Sequence, residues 1–464
     1  MDSADKKTCL SPLFWSLERL RAAYRERELS PVEVIEEALA RISVINPKLN
    51  AYIGRLDELA RSQALVAEKA WEKGTAKLLT GIPISIKDTF HIQDQLASYG
   101  SLVYQNNLVS RDSGVVRRLR DAGAVFIGRT NTSEFAQSAT TENRFFDDAH
   151  NPWDPVKTAG GSSGGGAASV SAGLCSIAIG ADGGGSIRIP ASFTGLFGVK
   201  PTFGLCKDEG GLVAMEQFIS PGPIARCVAD ARDICGVLAD KRYIRGRIKK
   251  TLRLAFSARP SNCPHDSKLV EVFESAVAKL SNLGHQVVGQ DIPLDGWQDA
   301  FGPLVLNTEW RERSHLLEKH SNQLTAYERR SLEAARKLTH SQIKSAFLAQ
   351  KNYSVKIQKL FGKLDFLLMP TTAVTAFDVG HRPKMIDGES VRWLWGGFPC
   401  TAPFNVSGNP AVTIPCGFVN SMPVGMQIIG PKYSEEMLMN LSQDIEEILE
   451  IDLLDVAKRW SFDI

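Results

Sequence analysis

Two short clusters of glycine and serine contain residue types suited to chemistry on a carbonyl group. The first is GGSSGGG at residues 160–166, and the second is GGGS at residues 183–186. Glycine lets backbone N–H groups come close to a ligand, and a serine hydroxyl can attack a carbonyl once a base activates it. A helix-sized run of small and apolar residues, 167–180, separates the clusters. We therefore interpret them as two walls of one site within residues 158–190.

A lysine outside these clusters is a candidate base. Residues 81–88, GIPISIKD, alternate so that the isoleucines share one face of a predicted strand, with Ser85 and Lys87 on the other. A lysine at the end of a buried strand must have its ammonium desolvated or paired. The alternative is that the Lys87 side chain extends to solvent.

Comparison with three known motifs argues against three other kinds of site. A phosphate-binding loop needs a lysine after its glycines, and neither cluster has one. Residues 180–185 have the wrong spacing for a dinucleotide fingerprint. A histidine-type serine hydrolase needs a G-x-S-x-G elbow, which residues 185–189 do not match, and only His91 and His150 lie near these motifs in sequence. A base other than histidine fits better, and Lys87 is available.

Composition indicates an ordinary globular protein. Net charge is +2, from 54 Lys and Arg against 52 Asp and Glu, which argues against a nucleic-acid or polybasic membrane surface. Residues 167–181 are too short and too rich in Gly and Ser to span a bilayer, and residues 1–10 lack a signal-peptide core. Eight cysteines without a CxxC pair indicate reduced thiols in a cytoplasmic protein. The histidines do not cluster, so we expect no metal site.

Alternating strand and helix patterns predict an α/β fold with βαβ units. One unit has its helix at 113–122 and a strand at 124–127, and another has strands at 252–256 and 285–288 around a helix at 267–283. Residues 297–363 are long, charged and helical, and we interpret them as an insertion or lid whose charges form a solvated face.

With these residues, the sequence resembles the amidase signature family. The resemblance is dense over residues 29–229 and returns over 365–431. The resemblance implies a single domain, 1–464, with a signature core at 76–235. It also implies a single large mixed, mostly parallel twisted sheet covered by helices on both faces. The motifs that carry it are GIPISIKD (81–88), TEN (141–143), NPWD (151–154), GGSSGG (160–165), DGGGSIRIP (182–190), GVKPT (198–202), SPGPIAR (220–226) and PVGMQ (423–427).

The resemblance also implies catalytic roles. Lys87 matches the family's base, Ser162 its bridging serine after a cis peptide, and Ser186 its nucleophile, 24 positions after Ser162. Ser163 takes the position of a hydroxyl that supports the bridging serine. No metal or organic cofactor is implied. The expected oxyanion hole consists of the backbone N–H groups of Gly183, Gly184, Gly185 and Ser186.

The residue types agree with that chemistry. Lysine is a base only when neutral, and its reference pKa of about 10.4 must fall by roughly three units, equivalent to about 4 to 5 kcal/mol. Burial at the end of an apolar strand can lower the pKa of Lys87 that far. Asp182 and Arg188 flank the nucleophile with opposite charge, and we expect an ion pair that holds the loop.

Several positions bear on specificity. Phe146 and Gly183 depart from the residues that the family commonly has, glycine and a larger residue respectively, which could alter the pocket. Trp393, Trp395 and Phe398 precede the C-terminal motif, where they either line a pocket for an apolar substrate or pack in the core.

The resemblance predicts a serine amidohydrolase that forms an acyl-enzyme on Ser186 from a small-molecule amide, carbamate or ester. The alternative is a glutaminase-type subunit of a tRNA-dependent amidotransferase complex. That branch usually has a serine-, asparagine- and tyrosine-rich middle third, whereas residues 309–315 here read EWRERSH. A binding protein with an inactive site is disfavoured because Lys87, Ser162 and Ser186 are all present. We expect neither nucleic acid nor membrane as a partner, and the family leaves a homodimer open.

Overall fold

A computed structural model describes residues 11–461 of the chain, so the prediction for residues 1–10 lies outside the described part. The helices of the described range include those predicted at 113–122 and 267–283, and three within the predicted helical stretch 297–363. They are α1 (Leu17–Glu26), α2 (Pro31–Leu49), α3 (Asp57–Glu72), α4 (Gly114–Asp121), α5 (Gly164–Ser171), α6 (Arg188–Thr194), α7 (Val228–Ala239), α8 (Ser267–Lys279), α9 (Gln298–Lys319), α10 (Ala326–Ala335), α11 (His340–Leu360), α12 (Ala402–Val406), α13 (Glu435–Leu449) and α14 (Leu454–Arg459).

Most of the strands belong to one sheet of eleven, ordered β1-β5-β2-β6-β8-β7-β14-β15-β11-β9-β10. Two small ribbons, β3–β4 and β12–β13, lie outside it. The strands are β1 (Tyr52–Arg55), β2 (Pro83–Lys87), β3 (Gln95–Leu96), β4 (Leu108–Val109), β5 (Val125–Thr130), β6 (Ile177–Asp182), β7 (Phe197–Lys200), β8 (Ser220–Ala225), β9 (Arg253–Phe256), β10 (Gln286–Gly289), β11 (Phe366–Pro370), β12 (Met385–Ile386), β13 (Glu389–Ser390), β14 (Ala411–Val419) and β15 (Met422–Ile429).

The large mixed sheet with helical cover is the predicted α/β architecture. Parallel pairing joins β5, β2 and β6 in one block and β11, β9 and β10 in another. The other neighbours pair antiparallel, so the parallel pairs are the smaller share of this sheet. The physical reason is local: strands β14 and β15 are joined by the tight turn at Asn420 and Ser421, which permits only antiparallel pairing.

Strand β2 lies between β5 and β6, so both of its edges are hydrogen-bonded, and all five of its residues are buried. Its isoleucines pack in the main core. On the other face, the hydroxyl groups of Ser85 and Tyr52 lie 2.6 Å apart, which satisfies a polar side chain in the interior. The chain therefore holds Lys87 at the end of a strand that has no solvent-exposed face.

Helix α5 is made of small residues because its neighbours approach closely, and all eight of its residues are buried. A Cβ atom on Gly165 would lie 2.5 Å from the backbone nitrogen of Asn131, and one on Gly164 would lie 2.7 Å from Cγ2 of Thr141. This packing brings the first glycine–serine cluster against the sheet. The second cluster follows directly from β6.

The helices α9, α10 and α11 confirm the helical character predicted for residues 297–363. The prediction of a solvated charged face is wrong for three side chains, because Glu309, Arg313 and Glu328 are buried. Helix α10 packs against α9, and Nε of Arg313 lies 3.3 Å from Oε1 of Glu328. Contact between these two helices thus encloses charges that one helix alone would leave in solvent.

None of the helices between residues 11 and 461 is long and apolar enough to cross a membrane. Within the same residues, no cluster of three histidine, cysteine or acidic side chains could hold a metal ion.

We expect Ile84→Ala to lower the free energy of unfolding by about 2 to 5 kcal/mol, because it leaves a cavity in the main hydrophobic core. Urea denaturation would measure the loss. The control is Leu65→Ala on α3, where the side chain is half exposed and the change should stay within about 0.5 kcal/mol. Equal losses for the two variants would contradict the central position of β2.

Candidate active site

The end of strand β2 brings Lys87 to the first glycine–serine cluster. The Nζ atom of Lys87 lies 2.6 Å from Oγ of Ser162 and 3.3 Å from the carbonyl oxygen of Ala181. Both Lys87 and Ser162 are fully buried, and the peptide bond between Gly161 and Ser162 is cis. The structure thus brings together two residues that are 75 positions apart in the chain.

Burial lowers the pKa of Lys87 to about 7, against a smaller opposing effect of the negative charge on Asp182. Desolvation has this sign because it disfavours the charged ammonium. A second lysine that sequence reasoning did not single out, Lys200 on β7, is also buried, and burial with the nearby charge of Arg188 lowers its pKa to about 7. Lys200 donates to the carbonyl oxygen of Pro201 at 2.8 Å. Of these two lysines, only Lys87 contacts a serine hydroxyl.

Ser186 lies between β6 and α6, at the point where the second cluster turns into the helix. Its backbone oxygen accepts a hydrogen bond of 3.1 Å from the N–H of Ser163, which joins the two clusters face to face. The side chain of Ser186 is 6% exposed, whereas those of Lys87 and Ser162 have no exposure. The hydroxyl of Ser163 is buried and has no hydrogen-bond partner among the described residues.

Asp182 and Arg188 form the predicted ion pair, and both are fully buried. Nε and Nη2 of Arg188 each lie 2.9 Å from a carboxylate oxygen of Asp182, a two-point contact that fixes orientation. Burial alone would raise the pKa of Asp182, but the charge and hydrogen bonds of Arg188 outweigh it and hold that pKa below its usual range. Asp182 therefore stays ionised close to Ser186 in the chain.

The ion pair also organises the backbone of the loop at residues 183–186. The N–H of Gly185 donates to Oδ1 of Asp182 at 2.7 Å, so this member of the expected oxyanion hole is already engaged. Among residues 11–461, no hydrogen bond engages the N–H groups of Gly183, Gly184 and Ser186. The loop therefore offers three backbone donors instead of four.

The C-terminal third of the chain completes this network through three polar side chains. Thr401 donates from Oγ1 to the carbonyl oxygen of Gly184 at 2.7 Å. Asn405 and Gln427 accept from Arg188 at 2.6 and 2.5 Å. Sequence reasoning missed these contacts, although Gln427 lies within the PVGMQ motif at 423–427. No local pattern marks Thr401 or Asn405, because their partners are more than 200 positions away.

Apolar side chains lie against Gly183 and Gly184 of the loop. A Cβ atom on Gly183 would collide with Met215, which explains the glycine where the family commonly has a larger residue. A Cβ atom on Gly184 would lie 2.9 Å from Cη2 of Trp395 and 3.0 Å from Cζ of Phe301. Phe398, by contrast, is buried in a core cluster with Phe193. Trp395 thus belongs to the surroundings of the site, and Phe398 to the core.

The fold and this arrangement define a class: α/β proteins with a buried lysine–serine pair beside a glycine-rich loop that carries a second serine. The family model described as Amidase matches residues 33–439. The chain belongs to the amidase signature family, a family of hydrolases.

Curated relatives in this family include amidotransferase subunits. A glutamyl-tRNA(Gln) amidotransferase subunit of Prochlorococcus marinus is 30% identical, and the match covers 94% of this chain and 98% of the relative. The corresponding subunit from Legionella pneumophila (strain Paris) is also 30% identical, covering 93% of this chain and 97% of the relative.

Solved structures of amide hydrolases are similar over nearly the whole chain. One, described as an amidase, is 27% identical with a TM-score of 0.87, covering 94% of this chain and all of that one. The structure of 6-aminohexanoate cyclic dimer hydrolase complexed with substrate is 25% identical with a TM-score of 0.85, covering 95% of this chain and 98% of that one.

We expect Asp182→Asn to be strongly destabilising, because it leaves the buried guanidinium of Arg188 without its counter-charge. Breaking one side of a buried pair costs about 3 to 5 kcal/mol, which a denaturation curve would resolve. The control is Asp233→Asn, which removes a partly exposed pair with Arg21 and should cost about 1 kcal/mol or less. Similar losses for both variants would show that the Asp182–Arg188 pair does not hold the loop.

Proposed function

We propose that the chain is a serine hydrolase that cleaves amide C–N bonds through an acyl-enzyme on Ser186. The observation that carries the proposal is the 2.6 Å contact between the buried amine of Lys87 and Ser162, beside a loop with free backbone donors. A serine hydroxyl is a weak nucleophile and needs such a base. Small-molecule amides, carbamates and esters all present the required carbonyl and leaving group.

In the proposed reaction, Oγ of Ser186 attacks the carbonyl carbon of the substrate. Its proton passes to Ser162 while Ser162 passes its own to the neutral amine of Lys87. The proton then returns by the same route to the leaving nitrogen, and the C–N bond breaks. Water attacks the resulting ester and releases the acid. Support for the relay comes from the hydrogen bond between the N–H of Ser163 and the backbone oxygen of Ser186, which joins the segment of Ser162 to that of Ser186.

The negative charge on the carbonyl oxygen would be stabilised by the N–H groups of Gly183, Gly184 and Ser186. Each donor placed at such a charge contributes about 3 kcal/mol to a transition state. In this proposal the Gly185 N–H acts indirectly, because it holds the loop to Asp182. The Asp182–Arg188 pair positions the loop and takes no proton.

A second candidate function is supply of nitrogen from glutamine within an amidotransferase complex. The curated relatives favour it, since they are amidotransferase subunits over nearly the full length of this chain. Hydrolysis of model amides by the purified chain alone would support the first candidate. Glutamine hydrolysis only after addition of partner subunits of a related amidotransferase would support the second.

The cytoplasmic location of the protein and the cover of its active site are also proposals. All seven cysteines within residues 11–461 are free thiols, which fits the reducing conditions of a cytoplasmic protein. We further propose that helices α9 to α11 cover the active site, because Phe301 of α9 contacts the loop at Gly184.

Ser186→Ala should abolish turnover and covalent trapping by a fluorophosphonate, because the attacking oxygen is absent. Intact-mass measurement would show one adduct on the native chain and none on the variant. The control is Ser192→Ala on α6, whose buried hydroxyl also lacks a partner but lies outside the proposed triad; this variant should be labelled normally. An adduct on Ser186→Ala would overturn the assignment of the nucleophile.

The pH dependence of kcat/KM should show an acid limb near pH 7, the pKa of Lys87. Below that pKa the amine is protonated and cannot accept a proton, so activity should fall about tenfold per pH unit. Because the pKa of Lys200 is similar, Lys200→Met is the control, and the limb should remain in that variant. A limb that vanishes with Lys200, or activity that is flat down to pH 5, would contradict Lys87 as the base.

A further inference from the structure

A cavity of about 420 Å³ lies beside the nucleophile loop, within the size range of small-molecule sites. Three of the side chains that line it, Met215, Phe301 and Trp395, are those that a Cβ atom on Gly183 or Gly184 would meet. The cavity therefore shares a wall with the proposed oxyanion hole, and a molecule in it would lie next to the proposed reaction centre.

Two polar side chains among these apolar walls have no hydrogen-bond partner. The side-chain oxygen and nitrogen of Gln137 and both carboxylate oxygens of Glu309 are buried without a partner among residues 11–461. Gln137 is 3% exposed and Glu309 has no exposure, yet both line the cavity. A buried polar group without a partner costs about 1 to 3 kcal/mol, and more when it is charged. The stability of the fold therefore does not explain why the side chains of Gln137 and Glu309 are both buried at this cavity.

The charges around Glu309 favour a ligand that brings hydrogen-bond donors. Glu328 lies nearby, and its carboxylate is paired with the one buried guanidinium of the cluster, that of Arg313. Burial, with repulsion from Glu328, raises the pKa of Glu309 well above its usual value. The raised pKa favours a neutral carboxyl on Glu309, and a ligand ammonium beside it would supply the opposite charge that lets it ionise. Among residues 11–461, the acceptors left unpartnered here are both oxygens of Glu309, Oε2 of Glu328 and the amide oxygen of Gln137, and the unpartnered donors are Nη2 of Arg313 and Nε2 of Gln137. A ligand N–H group would bind an acceptor that the chain leaves open.

We propose that Gln137 and Glu309 form a polar subsite that binds an N–H donor of the substrate, a primary ammonium or carboxamide, while Phe301 and Trp395 contact the apolar chain between that group and the scissile amide. This inference rests on the proposed function and deepens it by naming a substrate class. Gln137 and Glu309 are specificity-determining residues, and they take no part in proton transfer.

The test uses 4-nitroanilides of straight-chain acids that end in an ammonium, a carboxamide or a methyl group, with three to six methylenes between. A second series places the same end groups on the amine side. At the best length, the native chain should prefer a donor-bearing end over the methyl end by about ten- to a hundredfold in kcat/KM, the contribution of hydrogen bonds to a charged or buried group. Equal rates for all three end groups in both series would overturn the subsite.

Variants distinguish the contribution of Glu309 from that of Gln137, and the preference for an ammonium from the preference for a carboxamide. Glu309→Gln keeps the shape but cannot ionise to pair with an ammonium, so it should reduce the ammonium preference about tenfold or more and retain the carboxamide preference. Gln137→Met should reduce the carboxamide preference. Glu318→Gln, exposed on the same helix α9, is the matched control and should leave both preferences unchanged. A shift in melting temperature for Glu309→Gln without any change in preference would mean a merely structural role or a carboxylate satisfied by water.

A binding measurement distinguishes failure of the subsite from failure of the proposed function. If the native chain hydrolyses none of the anilides, the proposed function fails, and the subsite is judged by calorimetric titration with hexylamine and hexanamide against 2-heptanone, which has no N–H donor. Tighter binding of either donor, lost in the corresponding variant, would support the subsite. Equal binding of all three probes would overturn it.

Discussion

The buried ion pair between Asp182 and Arg188 is the interaction on which the geometry of the site depends. A guanidinium group has five N–H donors, and each of those of Arg188 has an acceptor, on Asp182, Thr401, Asn405 or Gln427. Such complete hydrogen bonding offsets part of the cost of burying the charge. The acceptors come from the end of β6 and from the C-terminal third of the chain. The loop at residues 183–186 is therefore fixed only when both parts of the sheet are assembled.

The same ion pair influences the chemistry of Lys87. Asp182 is the negative charge that opposes the lowering of the Lys87 pKa, but its carboxylate is bound at two points by Arg188. Lys87 itself contacts only a hydroxyl and a carbonyl oxygen, neither of which carries a full charge. Burial consequently dominates, and the amine can be neutral near pH 7. A direct Lys87–Asp182 contact would instead favour the protonated form.

Sequence reasoning succeeded where the determining interactions are local. The βαβ units, the small-residue helix α5 and the strand that ends at Lys87 follow from periodicity and from glycine placement. It failed for the charges of α9, because the burial of Glu309 depends on α10, which supplies Glu328 from 19 positions further along the chain. Gln137 gave no signal at all, since a lone glutamine in a loop has no pattern that distinguishes a buried amide from an exposed one.

The two polar clusters of this molecule differ in a way that separates structure from specificity. Around Arg188 every donor is satisfied within the chain, as expected of a device that must hold one geometry. Around Glu309, by contrast, both carboxyl oxygens and the nearby amide of Gln137 have no partner among residues 11–461. A network whose donors and acceptors are all paired within the chain cannot discriminate between ligands, because it has no hydrogen-bonding group left for them. The loop within the family motifs is therefore held in one geometry, whereas the unsatisfied pair of Gln137 and Glu309 lies outside those motifs, as the proposed selection among substrates requires.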